Sequence, residues 1–213
     1  MMDFSSFNRN GPWSWFMSDA LLDKSRLDEL VRHFPEEQLV LFERKEGSDK
    51  TYLCKQYQMY SQYAAGGDGF VPHPAWRELL DYVRSPVYRE SISRLTGCDL
   101  SQAGIEVIVN QYEQECYMSP HTDRRPKLIT HLVYLSGERG ADYGGEFVVH
   151  DGDGQAAHMV EAVAGRSVVF QRSGESLHSV NTVRTAHKRR SLQVVFWEYE
   201  PAAALPGRTV HGS

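Results

Sequence analysis

The sequence SPHTDRRPKLITHLVYLSG, from Ser119 to Gly137, places a histidine and an aspartate just ahead of an apolar run. The run, Leu128–Leu135, is rich in β-branched and aromatic residues and predicts a buried β-strand. Strand residues two apart point to the same face, so His121 and Asp123 are expected to project together. An imidazole and a carboxylate on one face suit Fe(II), Mn(II) or Zn(II). The other interpretation is a surface turn, and a third ligand is needed to decide between the two.

A late histidine is the best candidate for that third ligand. His178 lies in GESLHSVNTV, at the start of a predicted strand and directly after a turn. With His121 and Asp123 it would form a 2-His-1-carboxylate facial triad. Such a triad leaves coordination positions open, as non-haem Fe(II) oxygenases require.

Two arginines precede the last predicted strand, in KRRSLQVVFW. On a strand, Arg189 and Ser191 share a face and Arg190 points the other way. A guanidinium can bind a carboxylate through two parallel hydrogen bonds, and a neighbouring hydroxyl adds a third. The sequence therefore predicts a carboxylate-binding pair, Arg189 with Ser191, and Arg190 is the second choice.

The order His-x-Asp, distal His and Arg-x-Ser resembles the 2-oxoglutarate/Fe(II)-dependent dioxygenases, above all their small prolyl-hydroxylase-like branch. Three further stretches carry this resemblance: VIVNQYEQECYMSPHTD, ITHLVYLS followed by YGGEF, and GRSVVFQRSGESLHSV. The resemblance covers roughly the last hundred residues of the chain. The N-terminal half resembles no family that we can name.

The resemblance implies an enzyme that hydroxylates, or otherwise oxidises, an unactivated C–H bond and releases succinate and CO2. Its cofactors would be Fe(II) and 2-oxoglutarate, with O2 as co-substrate. The implied iron ligands and catalytic residues are His121, Asp123 and His178. The implied 2-oxoglutarate-binding residues are Arg189 and Ser191, supported by Tyr112, with Tyr134 as a second candidate for the role of Tyr112.

The expected fold class is α+β and mainly β: a double-stranded β-helix, which is a jelly-roll of the cupin type, with supporting N-terminal helices. After residue 100, short apolar runs alternate with Gly-rich turns, which is typical of a sandwich or barrel. Before it, SRLDELVRHFP predicts a helix capped by Ser25. We expect one domain, 1–213, with a mixed N-terminal region (1–100), a catalytic core (101–200) and a tail (201–213).

Composition limits the remaining function classes. The chain has 213 residues and a net charge of −5, which makes nucleic acid an unlikely main partner. Its three cysteines form no CxxC motif, and a reducing cytoplasm is the expected location. No apolar run approaches the length of a membrane span, and the first residues lack the order of a signal peptide.

The expected substrate is a small molecule, an amino acid, or a peptidyl or carrier-bound residue, and the sequence leaves the oligomeric state open. Candidate substrate residues are Arg124 and Arg125, which directly follow the metal pair, and His131 inside the next strand. A solvated turn is the alternative for the arginines, and core packing is the alternative for His131. The loop AAGGDGFVPHP, with its glycines and prolines, predicts a mobile lid over the barrel mouth.

Two other functions stay open at this point. A cupin-type metal oxygenase can use the same triad without 2-oxoglutarate, and it would not need Arg189 and Ser191. A catalytically silent module can bind metal or ligand without releasing succinate.

Overall fold

The computed structural model describes residues 2–47, 49–63, 70–136 and 143–198. Within these ranges the α-helices are α1 (Lys24–Arg32), α2 (Pro74–Val83) and α3 (Pro86–Thr96). The strands are β1 (Asn8–Asn10), β2 (Trp15–Ser18), β3 (Val40–Arg44), β4 (Tyr52–Ser61), β5 (Gly104–Tyr112), β6 (Tyr117–His121), β7 (Lys127–Tyr134), β8 (Phe147–His150), β9 (Ala156–Val160), β10 (Ser167–Gln171), β11 (His178–Val180) and β12 (Arg189–Trp197). Short 3-10 helices span Phe4–Ser6 and Glu36–Gln38.

The first helix begins earlier than its sequence pattern predicts. Asp23 is the N-cap, and its Oδ1 accepts a hydrogen bond from Arg26 N at 2.9 Å. Ser25 donates its hydroxyl to the same oxygen at 2.7 Å, so the expected Ser25 cap is wrong. A carboxylate is as good a cap as a hydroxyl, and here it lies in the cap position while Ser25 is already helical.

The next two helices follow the prolines of the sequence. Pro74 and Pro86 each occupy the first turn, where the missing N–H has no partner to lose. Gly97 ends α3 in the left-handed conformation, with φ +74°. None of the described helices is long and apolar enough to cross a membrane.

The strands form a curled antiparallel sheet in the order β1-β2-β10-β7-β12-β5-β4-β6-β11-β8-β9, with β3 paired to β4 outside this path. This mainly β arrangement confirms the expected fold class. Of the short apolar runs after residue 100, Ile105–Val109 lies within β5 and His158–Ala162 overlaps β9. Tyr199 and the tail 201–213 lie outside the described residues.

The alternation of β12 separates the two sides of the sheet. Leu192, Val194 and Phe196 are fully buried in the main core cluster, which also contains residues of the three helices. The residues between them, from Arg189 to Trp197, line a cavity of about 820 Å³. Strands of the N-terminal region complete this frame, since β4 pairs with both β5 and β6.

Candidate metal centre and co-substrate cavity

Three predicted ligands come together on the cavity side of the sheet. In the register of β6 and β11, His178 lies opposite His121. One ligand atom from each of His121, Asp123 and His178 lies within 4.8 Å of the others, and all three residues are buried. β6 ends at His121, so Asp123 reaches the cluster from the following loop and not, as expected, from the alternation of a strand.

Backbone carbonyls fix both imidazoles. His121 Nδ1 lies 2.9 Å from Ser119 O, and His178 Nδ1 lies 2.8 Å from Ser176 O. A carbonyl oxygen only accepts, so each Nδ1 carries the proton and donates. Each Nε2 is then left with the lone pair that a metal ligand needs.

Asp123 is held through both carboxylate oxygens. The Lys127 ammonium lies 2.8 Å from Oδ1, and Thr130 Oγ1 donates to Oδ2 at 2.9 Å. Arg172 Nε donates to the carbonyl oxygen of Asp123 at 3.0 Å. The same Oδ1 lies 3.9 Å from His121 Nε2. Contacts of this kind orient a ligand before any metal binds.

Burial and charge keep these groups in the protonation states that bind metal. Desolvation, with smaller effects of His178 and Lys50, lowers the pKa of His121 to about 3. Desolvation also lowers the pKa of His178. Burial alone would raise the pKa of Asp123, but the charge of Lys127 and its other cationic neighbours hold it well below its usual range. Two neutral imidazoles beside a carboxylate suit a divalent first-row metal.

Aromatic rings shield the distal histidine from water. The centroid of the His178 ring lies 4.7 Å from that of Phe170, 5.4 Å from that of Phe147 and 6.5 Å from that of Trp13. Trp13 comes from the N-terminal region, and its indole N–H donates to His150 O at 3.0 Å. The N-terminal region therefore packs against the distal histidine through Trp13.

A second group of polar atoms faces the same cavity. Arg189 and Ser191 are 3% and 1% exposed, and both line the cavity. Among the residues that the structure describes, neither Arg189 Nε nor Ser191 Oγ has a hydrogen-bond partner. A buried guanidinium with an unpaired donor is costly unless an anion satisfies it. A carboxylate such as the distal one of 2-oxoglutarate fits these donors.

Two tyrosines flank this guanidinium. Its central carbon lies 4.8 Å from the ring centroid of Tyr112 and 5.0 Å from that of Tyr134. Arg189 Nη2 donates to the Tyr134 hydroxyl at 3.4 Å. Tyr112 lines the cavity, whereas Tyr134 is fully buried and is not among the lining residues. Tyr112 is thus placed to touch a ligand, and Tyr134 is placed to hold Arg189.

The Gly-Gly-Glu turn packs against the same arginine. Gly144 and Gly145 have φ values of +72° and +75°, which favour glycine. A Cβ atom on Gly145 would lie 3.0 Å from Arg189 Cδ, and one on Gly144 would lie 2.0 Å from Thr182 O. Glu146 accepts a hydrogen bond from Asn181 Nδ2 at 3.0 Å. The turn therefore forms a close-fitting support behind Arg189.

Arg190 and Arg125 do not face the cavity. Arg190 Nε donates to Gln111 Oε1 at 2.7 Å, and the guanidinium pairs with Glu36 on the other side of the sheet. The second choice for the carboxylate is therefore excluded by position. Arg124 lines the cavity, but its neighbour Arg125 is exposed and is not a lining residue.

His131 lies in the core, so its candidate substrate role is wrong and the packing alternative holds. It is 0% exposed and sits on the helix-covered side of β7. Its Nδ1 lies 2.6 Å from the Tyr88 hydroxyl, and its Nε2 lies 2.7 Å from Ser167 Oγ. Strand alternation explains this, since Thr130 and Leu132 on either side of His131 line the cavity.

Several polar side chains around the triad were not predicted from the sequence. Thr130 follows from strand alternation, but Lys127 and Arg172 carry no motif that marks them. Lys50 lies in the turn between β3 and β4, and only the three-dimensional fold brings it to the cavity. The predicted lid residues 64–69 lie outside the described residues.

Fold and cavity together define a class: a jelly-roll protein with a buried His, Asp and His cluster of the kind that binds a divalent metal. Residues 107–197 match the family model of the 2OG-Fe(II) oxygenase superfamily. No curated protein sequence matches the chain.

Solved structures share the fold. A prolyl-4-hydroxylase from Pseudomonas putida is 21% identical with a TM-score of 0.65, over 88% of this chain and 94% of that one. A prolyl hydroxylase from Trichoplax adhaerens, in complex with a hypoxia-inducible factor peptide fragment, is 17% identical with a TM-score of 0.62, over 86% and 83%. A non-heme alpha-ketoglutarate-dependent carbocyclase from nogalamycin biosynthesis is 15% identical with a TM-score of 0.57, over 86% and 79%.

The chain matches the 2OG-Fe(II) oxygenase superfamily over residues 107–197, the segment that contains all three candidate ligands as well as Arg189 and Ser191. Its fold is the double-stranded β-helix, and it is a 2-oxoglutarate- and Fe(II)-dependent dioxygenase. Fe(II), 2-oxoglutarate and O2 are its cofactors and co-substrate. The expectations for fold, enzyme class and cofactors are therefore confirmed.

Proposed function

We propose that His121, Asp123 and His178 hold Fe(II), and that Arg189 and Ser191 bind the distal carboxylate of 2-oxoglutarate. The observation that carries this assignment is the shared cavity. One side of it contains three converging ligand atoms, and another contains a buried guanidinium and a hydroxyl whose polar atoms lack partners among the described residues.

The side chains divide the work between binding and orientation. Each histidine offers Nε2 because its Nδ1–H is engaged by a backbone carbonyl. Thr130 and Lys127 hold the two oxygens of Asp123. Tyr112 supports the co-substrate from the cavity wall. Burial raises the pKa of Tyr112 well above its usual range, so the phenol stays protonated and can donate a hydrogen bond.

Bound Fe(II), with 2-oxoglutarate and O2, supplies the oxidising power for an unactivated C–H bond, and succinate and CO2 are released. The protein keeps water away from this chemistry with Trp13, Phe147 and Phe170. We propose hydroxylation of a small-molecule, amino-acid, peptidyl or carrier-bound substrate. Among the fold neighbours, one is described with a bound peptide fragment and another is described as a carbocyclase.

We retain two further expectations as proposals. The cysteines at 54, 98 and 116 are free thiols, which supports a reducing cytoplasm as the location. The division of the chain into a supporting region and a catalytic core also remains a proposal. Tyr52 and Gln56 of β4 line the cavity, which supports a direct part for the N-terminal region.

The two arginines of β12 make a matched test of the co-substrate assignment. We would titrate 2-oxoglutarate into Mn(II)-loaded protein by calorimetry. Arg189→Met should weaken binding about 10- to 100-fold, because a charge-assisted carboxylate contact is lost. Arg190→Met should leave the affinity unchanged, since Arg190 faces Glu36 and Gln111. Equal affinities for Arg189→Met and the wild type would overturn the assignment of the 2-oxoglutarate carboxylate to Arg189, and absence of 2-oxoglutarate binding by the wild type would support the cupin-type alternative.

A further inference from the structure

The mouth of the cavity holds cations without matching carboxylates. Lys50 and Arg124 line the cavity, and they come from different loops, one between β3 and β4 and one after β6. In the described part of the chain, neither ammonium nor guanidinium has a hydrogen bond or a carboxylate oxygen within 4.0 Å. Each makes an aromatic contact instead: Lys50 Nζ lies 5.8 Å from the Tyr52 ring centroid, and Arg124 lies 5.9 Å from that of Trp197.

The acidic side chains of the same cavity are already engaged. Asp49 pairs with Arg44 at 2.7 Å. Glu106 accepts from the Trp197 indole N–H at 3.3 Å. Asp123 pairs with Lys127 and belongs to the candidate metal site. Glu43 pairs with Lys45 at 3.4 Å. No acid that lines the cavity therefore forms an ion pair with Lys50 or Arg124, and Asp123 and Asp49 attract Lys50 only from beyond ion-pair distance.

A third cation, Lys127, lies beside the same indole ring, but its ion pair with Asp123 leaves Lys50 and Arg124 as the cations without a carboxylate partner. Lys127 Nζ lies 5.6 Å from the Trp197 ring centroid, on the ring that Arg124 also contacts. Burial and the charge of Lys127 lower the pKa of Lys50 to about 8, as expected for an ammonium that has lost water without gaining a full counter-charge. The whole chain carries −5, so this is a local concentration of positive charge.

We propose that this mouth is an anion-binding subsite, in which Lys50 and Arg124 bind a carboxylate or phosphate group of the substrate beside the face of Trp197. The inference rests on the proposed function and deepens it, because it names the substrate class as anionic. The subsite is distinct from Arg189, which lies at the opposite end of the cavity-facing row of β12 from Trp197. An anion bound there would restore the missing counter-charge.

Small probes of matched shape can test the subsite before a substrate is known. We would load the protein with Mn(II) and saturating 2-oxoglutarate, and titrate N-acetylglycine, its neutral amide N-acetylglycinamide, and inorganic phosphate. Broadening of the probes' nuclear magnetic resonance signals by Mn(II) reports binding near the metal. N-acetylglycine or phosphate should bind at least about tenfold more tightly than N-acetylglycinamide, because each can make a charge-assisted contact that the neutral amide cannot. Tighter binding of phosphate or of the carboxylate probe would show which anionic group the subsite prefers.

The variants decide which residues carry the preference. Lys50→Ala combined with Arg124→Gln should abolish it while 2-oxoglutarate still binds. Arg125→Gln is the matched control, since Arg125 neighbours Arg124 but is exposed outside the cavity, and it should keep the preference. Loaded wild-type protein that shows no charge preference, or a double variant that keeps it, would overturn the subsite alone. Failure of the wild type to bind 2-oxoglutarate would overturn the proposed function, and the subsite with it.

Discussion

The two sides of the central sheet bury histidines in opposite ways. On the helix-covered side, Ser167 donates its hydroxyl to Leu132 O at 2.9 Å, so it accepts from His131 Nε2–H, and Tyr88 then donates to His131 Nδ1. Both ring nitrogens of His131 are satisfied. On the cavity side, His121 and His178 each use only Nδ1 in a hydrogen bond, and each Nε2 points to the other ligand atoms.

Burial and a lowered pKa do not distinguish these two environments. Desolvation lowers the pKa of His131 to about 3, the same value that His121 reaches. The difference is in hydrogen bonding, because a histidine with both nitrogens engaged stabilises the fold, and one with a free lone pair can serve a ligand. Two adjacent arginines of β12 differ in the same way. Arg190 Nε donates to Gln111 Oε1, whereas Arg189 Nε has no hydrogen-bond partner among the described residues.

The largest expected effect comes from removing a ligand on the cavity side. His121→Ala should weaken Mn(II) binding more than about 100-fold, since even contacts outside the ligand shell are worth 10- to 100-fold. The free energy of unfolding of the metal-free protein should change far less, because the imidazole makes a single hydrogen bond, to Ser119 O. Calorimetric metal titration and urea unfolding measure the two quantities. Unchanged metal affinity would remove His121 from the site.

The matched substitution on the helix-covered side should lower stability and leave metal affinity nearly unchanged. His131→Ala should lower the free energy of unfolding by about 2–4 kcal/mol, because it leaves a cavity and strands the Tyr88 and Ser167 hydroxyls. Affinity for Mn(II) should stay within about twofold of the wild type, as expected for a residue outside the ligand set. Urea unfolding and metal titration of the same samples provide the check. A large loss of metal affinity in a folded His131→Ala variant would show that His131 contributes to the metal site.

Acid should narrow the stability gap between wild type and a His131 variant. His131 stays neutral in the folded protein, with a pKa of about 3 against an ordinary 6.5. Below pH 6.5 the unfolded chain binds a proton that the folded chain does not, so this histidine destabilises the fold as pH falls. Gln does not titrate in this range, so His131→Gln lacks this acid destabilisation. The difference in free energy of unfolding between the wild type and His131→Gln should therefore shrink by about 2 kcal/mol between pH 6.5 and 5. Urea unfolding of both metal-free proteins at both pH values measures this difference. A difference that does not change with pH would show that the pKa of His131 is the same in the folded and unfolded chains.

The smallest effect tests the support behind the co-substrate. Gly145→Ala would place a Cβ atom 3.0 Å from Arg189 Cδ at a φ of +75°. We expect 2-oxoglutarate affinity to fall about tenfold as the guanidinium shifts. Gly152→Ala is the control, since its Cβ would meet nothing within 4 Å. Calorimetric titration of both variants decides the matter, and equal affinities would mean that the turn does not position Arg189.

Local sequence was enough to predict the ligands but not their surroundings. The His-x-Asp pair, the distal His178 and the alternation of Arg189 with Ser191 are all short-range patterns. The start of α3 at Pro86 and its end at Gly97 also follow from single residues. By contrast, Trp13 reaches His178 and Lys50 reaches the cavity from distant segments, and no local pattern encodes either approach.

His131 shows why nearness to the metal pair in the sequence is a poor guide to the site. Its place next to the metal pair suggested a substrate contact, yet one residue along a strand reverses the side on which a side chain lies. The Ser25 cap failed for a similar reason, since Asp23 competes for the same backbone donor two residues earlier. In both cases two neighbouring residues could fill the role, and the tertiary structure determines which of them does.

Anaerobic ultraviolet–visible titration of the metal-free protein with Fe(II) and 2-oxoglutarate tests the central claim most directly. A keto acid chelated to Fe(II) gives a weak visible charge-transfer band, so the wild type and His131→Gln should develop it and His178→Ala should not. A band of full intensity in His178→Ala, or no band in wild-type protein that has bound Fe(II), would contradict the assignment of the site.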